Sequence, residues 1–170
     1  MAPVVVLRGS QEAVDFYRLM KAEVEERVIN GVAAVPGERV RLLHFYRLFS
    51  EQGACFVADS YTNGWSTQFT LDEPITGLAR AYAAPFINLD QRTRSRVLNE
   101  LAQRFEVDGI VMHANRSCKP FSLTQPDLRN GLRDELGLPT LILEADMADS
   151  RLYNAGAVKE RVAAFLEILA

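Results

Sequence analysis

Residues His113, Ala114, Asn115, Arg116, Ser117, Cys118, Lys119 and Pro120 bring a thiol, an imidazole and two cations into one short stretch. Arg116 and Lys119 flank the thiol, and a positive field favours the thiolate, the form that attacks electrophiles or ligates metal. His113 adds an imidazole, a side chain that can carry a proton between groups. The residues alone leave two readings of Cys118 open: an idle surface thiol, or a nucleophile or metal ligand. His113 likewise reads either as a solvated imidazole or as a proton carrier.

The apolar run Gly109, Ile110, Val111, Met112 precedes this stretch, with Asp108 before it. That pattern predicts a buried parallel strand that ends in a polar loop. In open α/β sheets, ligands bind outside the carboxyl ends of the strands. Two further loops are expected at that edge. One spans 59–65, follows the apolar Cys55 to Ala58 and carries Tyr61, Asn63 and Trp65; the other spans 144–149. Tyr61 and Trp65 either cover a bound ring or lid the core. Glu144 and Asp146 are not read as an acid–base pair.

Helices are expected between the strands. Ser10 can cap a long helix with Val14, Tyr17, Met20, Val24 and Val28 on one stripe. Further helices are predicted over 75–86 and 90–105, then one capped by Thr124 and closed by Gly137, and a last one striped by Val158, Val162, Phe165 and Leu169. Strands are predicted at 3–7, 39–43, 55–58, around 108–112 and at 139–143. Strands alternating with helices imply crossover connections. The expected fold is therefore α/β, a flavodoxin-like three-layer sandwich with a parallel sheet of four or five strands.

Composition narrows the function classes. With 170 residues and 48% hydrophobic content, the chain is expected to form a single domain over 1–170. A net charge of -3 with scattered cations argues against a nucleic-acid partner. No apolar run reaches the length of a membrane span or signal core, so no membrane role and a cytoplasmic location are expected. Cys55 and Cys118 form no CxxC pair, which excludes a zinc ribbon, a thioredoxin-type motif and a disulfide framework. Two thiols also fall short of the four thiolates an iron–sulfur cluster takes. Cys55 reads as a core residue. There is no phosphate loop, glycine fingerprint or Ser/His/Asp motif.

Asn115 through Ser122, then Gln125, the segment 143–151 and the closing segment 161–167 together resemble the 2-hydroxyacyl-CoA dehydratase and benzoyl-CoA reductase family. The likeness continues upstream through 12–17, 35–39 and 61–65, and is strongest to the C-terminal domain of a benzoyl-CoA reductase subunit. Members of that family use a [4Fe-4S] cluster, charged by an ATP-dependent activator, to push a low-potential electron into an acyl-CoA thioester in anaerobic metabolism. The resemblance implies that Cys118 is a cluster ligand. Arg116 and Lys119 would then offset cluster charge, and Asn115, Ser117 and Ser122 would donate hydrogen bonds around it. His113 would deliver protons, and Tyr61, Asn63 and Trp65 would meet the substrate.

The family's other cluster cysteines lie in a preceding domain. The resemblance therefore implies a cluster shared with a cysteine-bearing N-terminal domain or subunit, or absent from the isolated chain. The expected assembly is a homo- or hetero-oligomer, inactive without its partner. The other expectation is a docking or oligomerising module of the same fold without a cluster; a third is thiol chemistry at Cys118 alone.

Overall fold

In the computed structural model, residues 7, 9–43, 47–61, 71–146 and 149–170 are described. They fall into two compact units, Met1–Gly37 and Glu38–Ala170. The strand expected at 3–7 lies outside the described residues save Leu7.

The first unit is built on helix α1 (Gln11–Ile29). Ser10 caps it as expected: its backbone is extended and its Oγ accepts from the Ala13 N–H at 3.2 Å. Hydrogen bonds from its own backbone N–H and then from Ser10 hold the Glu12 carboxyl below the usual carboxylate range. Along the expected stripe Val14, Tyr17, Met20, Val24 and Val28 are exposed within this unit, and Ala13 is the buried residue of the helix. Periodicity specifies which face is apolar, not what covers it.

The second unit carries one parallel sheet of four strands: β1 (Val40–Leu43), β2 (Ala54–Ala58), β3 (Gly109–Asn115) and β4 (Thr140–Ala145), in the order β2-β1-β3-β4. Its helices are α2 (Arg47–Ser50), α3 (Pro74–Ala83), α4 (Gln91–Arg104), α5 (Lys119–Ser122), α6 (Gln125–Leu136) and α7 (Ala155–Leu169). Side chains alternate across the pleat. Ile110 and Met112 join Leu98 and Ala102 of α4 and Leu128 and Leu132 of α6 in one core cluster. Val111 and Leu143 join Phe49 of α2 and Val162, Phe165 and Leu166 of α7 in another. Both faces of the sheet are thus covered, the condition under which an all-parallel sheet is found.

A glycine starts β3 because α7 is close: a Cβ on Gly109 would stand 3.0 Å from both Leu169 Cδ1 and Phe165 Cζ. Helix α6 closes on Gly137, whose φ of +68° suits glycine.

Two expectations are corrected. The helix predicted over 75–86 stops at Ala83, because Pro85 cannot continue it, and a 3₁₀ turn at Phe86–Asn88 follows. Thr124 precedes α6 but does not cap it through its side chain: its backbone is already helical and its hydroxyl accepts from Arg94 Nη1 at 3.1 Å. No helix among the described residues is long and apolar enough to cross a membrane.

Candidate functional site

Because all four strands run parallel, the loops that follow them open on one edge. The connection from β1 leads to β2 on one side, while the next strand in sequence, β3, lies on the other side of β1. The strand order therefore reverses between β1 and β3, and loops flanking such a switch point form the crevice where α/β sheets bind ligands. Cys118 lies in the loop after β3, at that switch point.

The loops after β3 and β4 are stapled together by Asp146. Asp146 Oδ2 accepts from the Ser117 N–H at 3.2 Å and from the Ser117 hydroxyl, and its Oδ1 accepts from the Asp149 N–H at 3.2 Å. Asp149 is fixed in turn by Arg151, whose guanidinium and then backbone N–H hold its carboxyl below the ordinary range. Half-buried His113 lies opposite Leu143, and its Nε2 is 3.1 Å from the Ala145 carbonyl. A carbonyl only accepts, so in the neutral imidazole Nε2 carries the proton and Nδ1 is the basic nitrogen.

Cys118 is a free, half-buried thiol directly before α5. Its N–H donates to the Asn115 carbonyl at 3.1 Å, and its own carbonyl accepts from the Phe121 and Ser122 N–H groups at 3.3 and 3.1 Å. Asn115 Oδ1 accepts from the Ser117 N–H at 3.0 Å, and the Ser122 hydroxyl donates to the Asn115 carbonyl at 2.7 Å. Asn115, Ser117 and Ser122 therefore brace the turn that carries the thiol. Arg116 and Lys119 are exposed, and neither enters an ion pair among the described residues. Their charge is left to act on whatever approaches this edge.

The structure brings His113, Asn115, Ser117, Cys118, Ser122 and Asp146 together, but it sets Tyr61 apart. Tyr61 follows edge strand β2, two strands from β3, a separation of roughly 10 Å at the usual strand spacing. It is exposed, with its N–H donating to Asp59 Oδ1 at 2.7 Å. Asn63 and Trp65 lie outside the described residues.

Three residues with a part here carried no site reading in the sequence: Asp146, Arg94 and Thr124. Arg94 is 5% exposed on α4, and its guanidinium reaches the Pro120 carbonyl and the Thr124 hydroxyl. Its signal was an arginine one turn before Leu98 and two before Ala102, on the stripe that α4 buries. Gln125 is equally buried: its Nε2 donates to the His113 carbonyl at 2.8 Å, while its buried Oε1 has no hydrogen-bond partner among the described residues.

Among the described residues no group of three or more His, Cys, Asp and Glu is placed to hold a metal ion. The other thiol, Cys55, is buried on β2, and burial first and then the Glu38 carboxylate push its pKa up. One thiol at the open edge could fill a single position in a ligand set.

A family model described as "2-hydroxyglutaryl-CoA dehydratase, D-component" matches residues 1–169. The (R)-2-hydroxyisocaproyl-CoA dehydratase alpha subunit of Clostridioides difficile is 27% identical over 99% of this chain and 44% of its own length. A benzoyl-CoA reductase subunit of Thauera aromatica is 26% identical over 95% of this chain and 43% of its own. The alpha subunit of (R)-2-hydroxyglutaryl-CoA dehydratase of Acidaminococcus fermentans is 28% identical over 99% of this chain and 37% of its own. The chain thus spans less than half the length of these relatives. With the match running from the first residue to the last but one, the chain belongs to the 2-hydroxyglutaryl-CoA dehydratase D-component family.

Proposed function

We propose that this chain is a component, or C-terminal domain, of a 2-hydroxyacyl-CoA dehydratase or benzoyl-CoA reductase-like iron–sulfur enzyme, with Cys118 as one ligand of a cluster shared with another polypeptide or domain. The observation that carries this reading is the half-buried, free Cys118 at the sheet's switch point, set between two cations that enter no ion pair among the described residues. The proposal treats residues 1–170 as one functional domain, and the four-stranded sheet as the centre of a flavodoxin-like three-layer sandwich in a cytoplasmic protein.

When bound, a [4Fe-4S] cluster supplies a low-potential electron for an acyl-CoA thioester. The chain's own residues do the rest. Cys118 presents its sulfur, and Arg116 and Lys119 lower the cost of gathering negative charge around it. Asn115, Ser117 and Ser122 keep that sulfur in one place. His113, with Nε2 committed to the Ala145 carbonyl, offers Nδ1 as the nitrogen that takes up or releases a proton. Tyr61, Asn63 and Trp65 meet the substrate, Tyr61 from the edge-strand side. The remaining thiolates come from a cysteine-bearing N-terminal domain or subunit, and an ATP-dependent activator charges the cluster.

Anaerobic co-expression with a cysteine-bearing partner, followed by iron and sulfide analysis, tests this directly. Iron and sulfide are expected in the wild-type complex and lost from Cys118→Ala. A cluster that survives Cys118→Ala unchanged overturns the reading.

A docking or oligomerising module without a cluster is the second reading, and the outward face of α3 favours it. Ile75, Leu78 and Tyr82 recur at helical spacing and are all exposed, Ile75 at 80% and Tyr82 at 71%. Exposed apolar stripes of this kind mark interaction surfaces. An iron-free, stable oligomer from anaerobic purification supports this second reading, and a monomer that binds iron contradicts it.

A further inference from the structure

We propose that Arg94 is a positioning residue that holds the Cys118 turn in place through the fork of its guanidinium. This deepens the cluster reading and rests on it only for what the position serves.

Helix α5 is a single turn, Lys119–Ser122. One turn lies far below the length at which a helix sustains itself, so its shape has to be imposed by bonds from elsewhere. Arg94 supplies them. Its Nη1 donates to the Pro120 carbonyl at 2.9 Å and to the Thr124 hydroxyl at 3.1 Å, one acceptor inside the turn and one just beyond it. Its Nε donates to the Phe86 carbonyl at 3.1 Å, and its Nη2 to the Ile87 carbonyl. One planar group thereby ties the 3₁₀ turn at Phe86–Asn88 to the turn carrying the thiol.

Aromatic contacts follow the same line. The guanidinium carbon stands 5.6 Å from the centre of the Phe86 ring, and Phe86 meets Phe121 edge-on at 6.4 Å. Because the Cys118 carbonyl accepts from the Phe121 and Ser122 N–H groups, fixing Pro120, Phe121 and Thr124 fixes the orientation of Cys118 as well.

The chemistry of the residue supports positioning rather than charge compensation. A buried cation is ordinarily matched by a carboxylate. Here every hydrogen bond from Arg94 among the described residues runs to a neutral oxygen. The group is used for the directions of its donors. Lysine keeps the charge but places its donors at a single point, so it cannot span both segments.

The test uses the complete chain without iron, in a Cys55→Ala background so that Cys118 is the one thiol. Arg94→Lys and Arg94→Met are compared for amide exchange at Phe121, Ser122 and Leu123, for exchange in β3 and β4, and for the rate of Cys118 alkylation by iodoacetamide at fixed pH. Both variants are expected to speed exchange in the turn about tenfold or more, with β3 and β4 protection retained. The alkylation rate is expected to change severalfold in both. Thr124→Val, which removes one acceptor only, is expected to shift the same readouts in the same direction by a smaller factor, and it decides the matter where an Arg94 variant does not fold.

Wild-type exchange and alkylation in Arg94→Lys overturn the proposal, because charge alone then suffices. A uniform rise across turn and sheet also overturns it, because Arg94 then serves general stability. Iron loading of the wild-type complex judges the cluster reading separately, so either can fail alone.

Discussion

Cys55 and Cys118 are identical in chemistry and opposite in surroundings. Cys55 lies on edge strand β2, paired with Arg41, and its burial and the Glu38 carboxylate hold it as the neutral thiol. Cys118 lies past the end of β3, half-buried, beside two cations without ion-pair partners among the described residues. The difference teaches that position relative to the strand's end decides how far a cysteine is buried. Within the strand the residue is buried; beyond it, the residue is half-buried in the loop at the edge of the sheet.

The largest contrast is expected in reactivity. Cys118 should alkylate with iodoacetamide roughly a hundredfold or more faster than Cys55, which has to wait for local opening. Mass spectrometry of the two cysteine peptides over time reads this out, and equal rates would erase the distinction. Next in size is stability. Cys55→Ala removes a packed sulfur and should cost about 1 kcal/mol in denaturant unfolding. Cys118→Ala should cost less, about 0.5 kcal/mol, because its sulfur is only half-buried.

Asp146→Ala sharpens the comparison from the side of the loops. It strips acceptors from Ser117 and Asp149 and should cost about 1 kcal/mol, while raising exchange at the Ser117 amide and leaving that of Cys55 as it was. An equal change at both sites would mean that the two regions open together.

The smallest effect concerns pH. Arg151 holds the folded-state value of Asp149 below its ordinary one. The resulting stability is fully present above the unfolded carboxylate value of about 4 and is lost as pH falls through the lower folded value. Arg151→Gln should therefore lower the Tm at pH 7 slightly, with the gap to wild type closing toward pH 3. A gap that stays constant with pH would show that the pair carries no linkage.

Much of the fold was legible because apolar periodicity is a local signal. The runs around Val111 and Leu141 and the stripes at Leu128 and Leu132 and at Val162 and Phe165 all fall in the predicted strands and helices, and both pattern and packing agree there. Cys118 was legible as a strand-end thiol for the same reason. The bracing of its turn was not. Thr124 has the composition of a cap, yet its hydroxyl goes to an arginine 30 residues away. Nothing in local spacing announces that partner. The α1 stripe shows the converse: its period was plain, but a period names the apolar face of a helix and not the surface that it meets.

The account depends on Cys118 binding iron through its sulfur, and exchange of that one atom for oxygen tests it most directly. In the anaerobic complex with a cysteine-bearing partner, Cys118→Ser should shift the electron paramagnetic resonance spectrum of the reduced cluster or abolish it, while Cys55→Ala leaves it as in wild type. A Cys118→Ser spectrum superimposable on that of wild type would contradict the central claim.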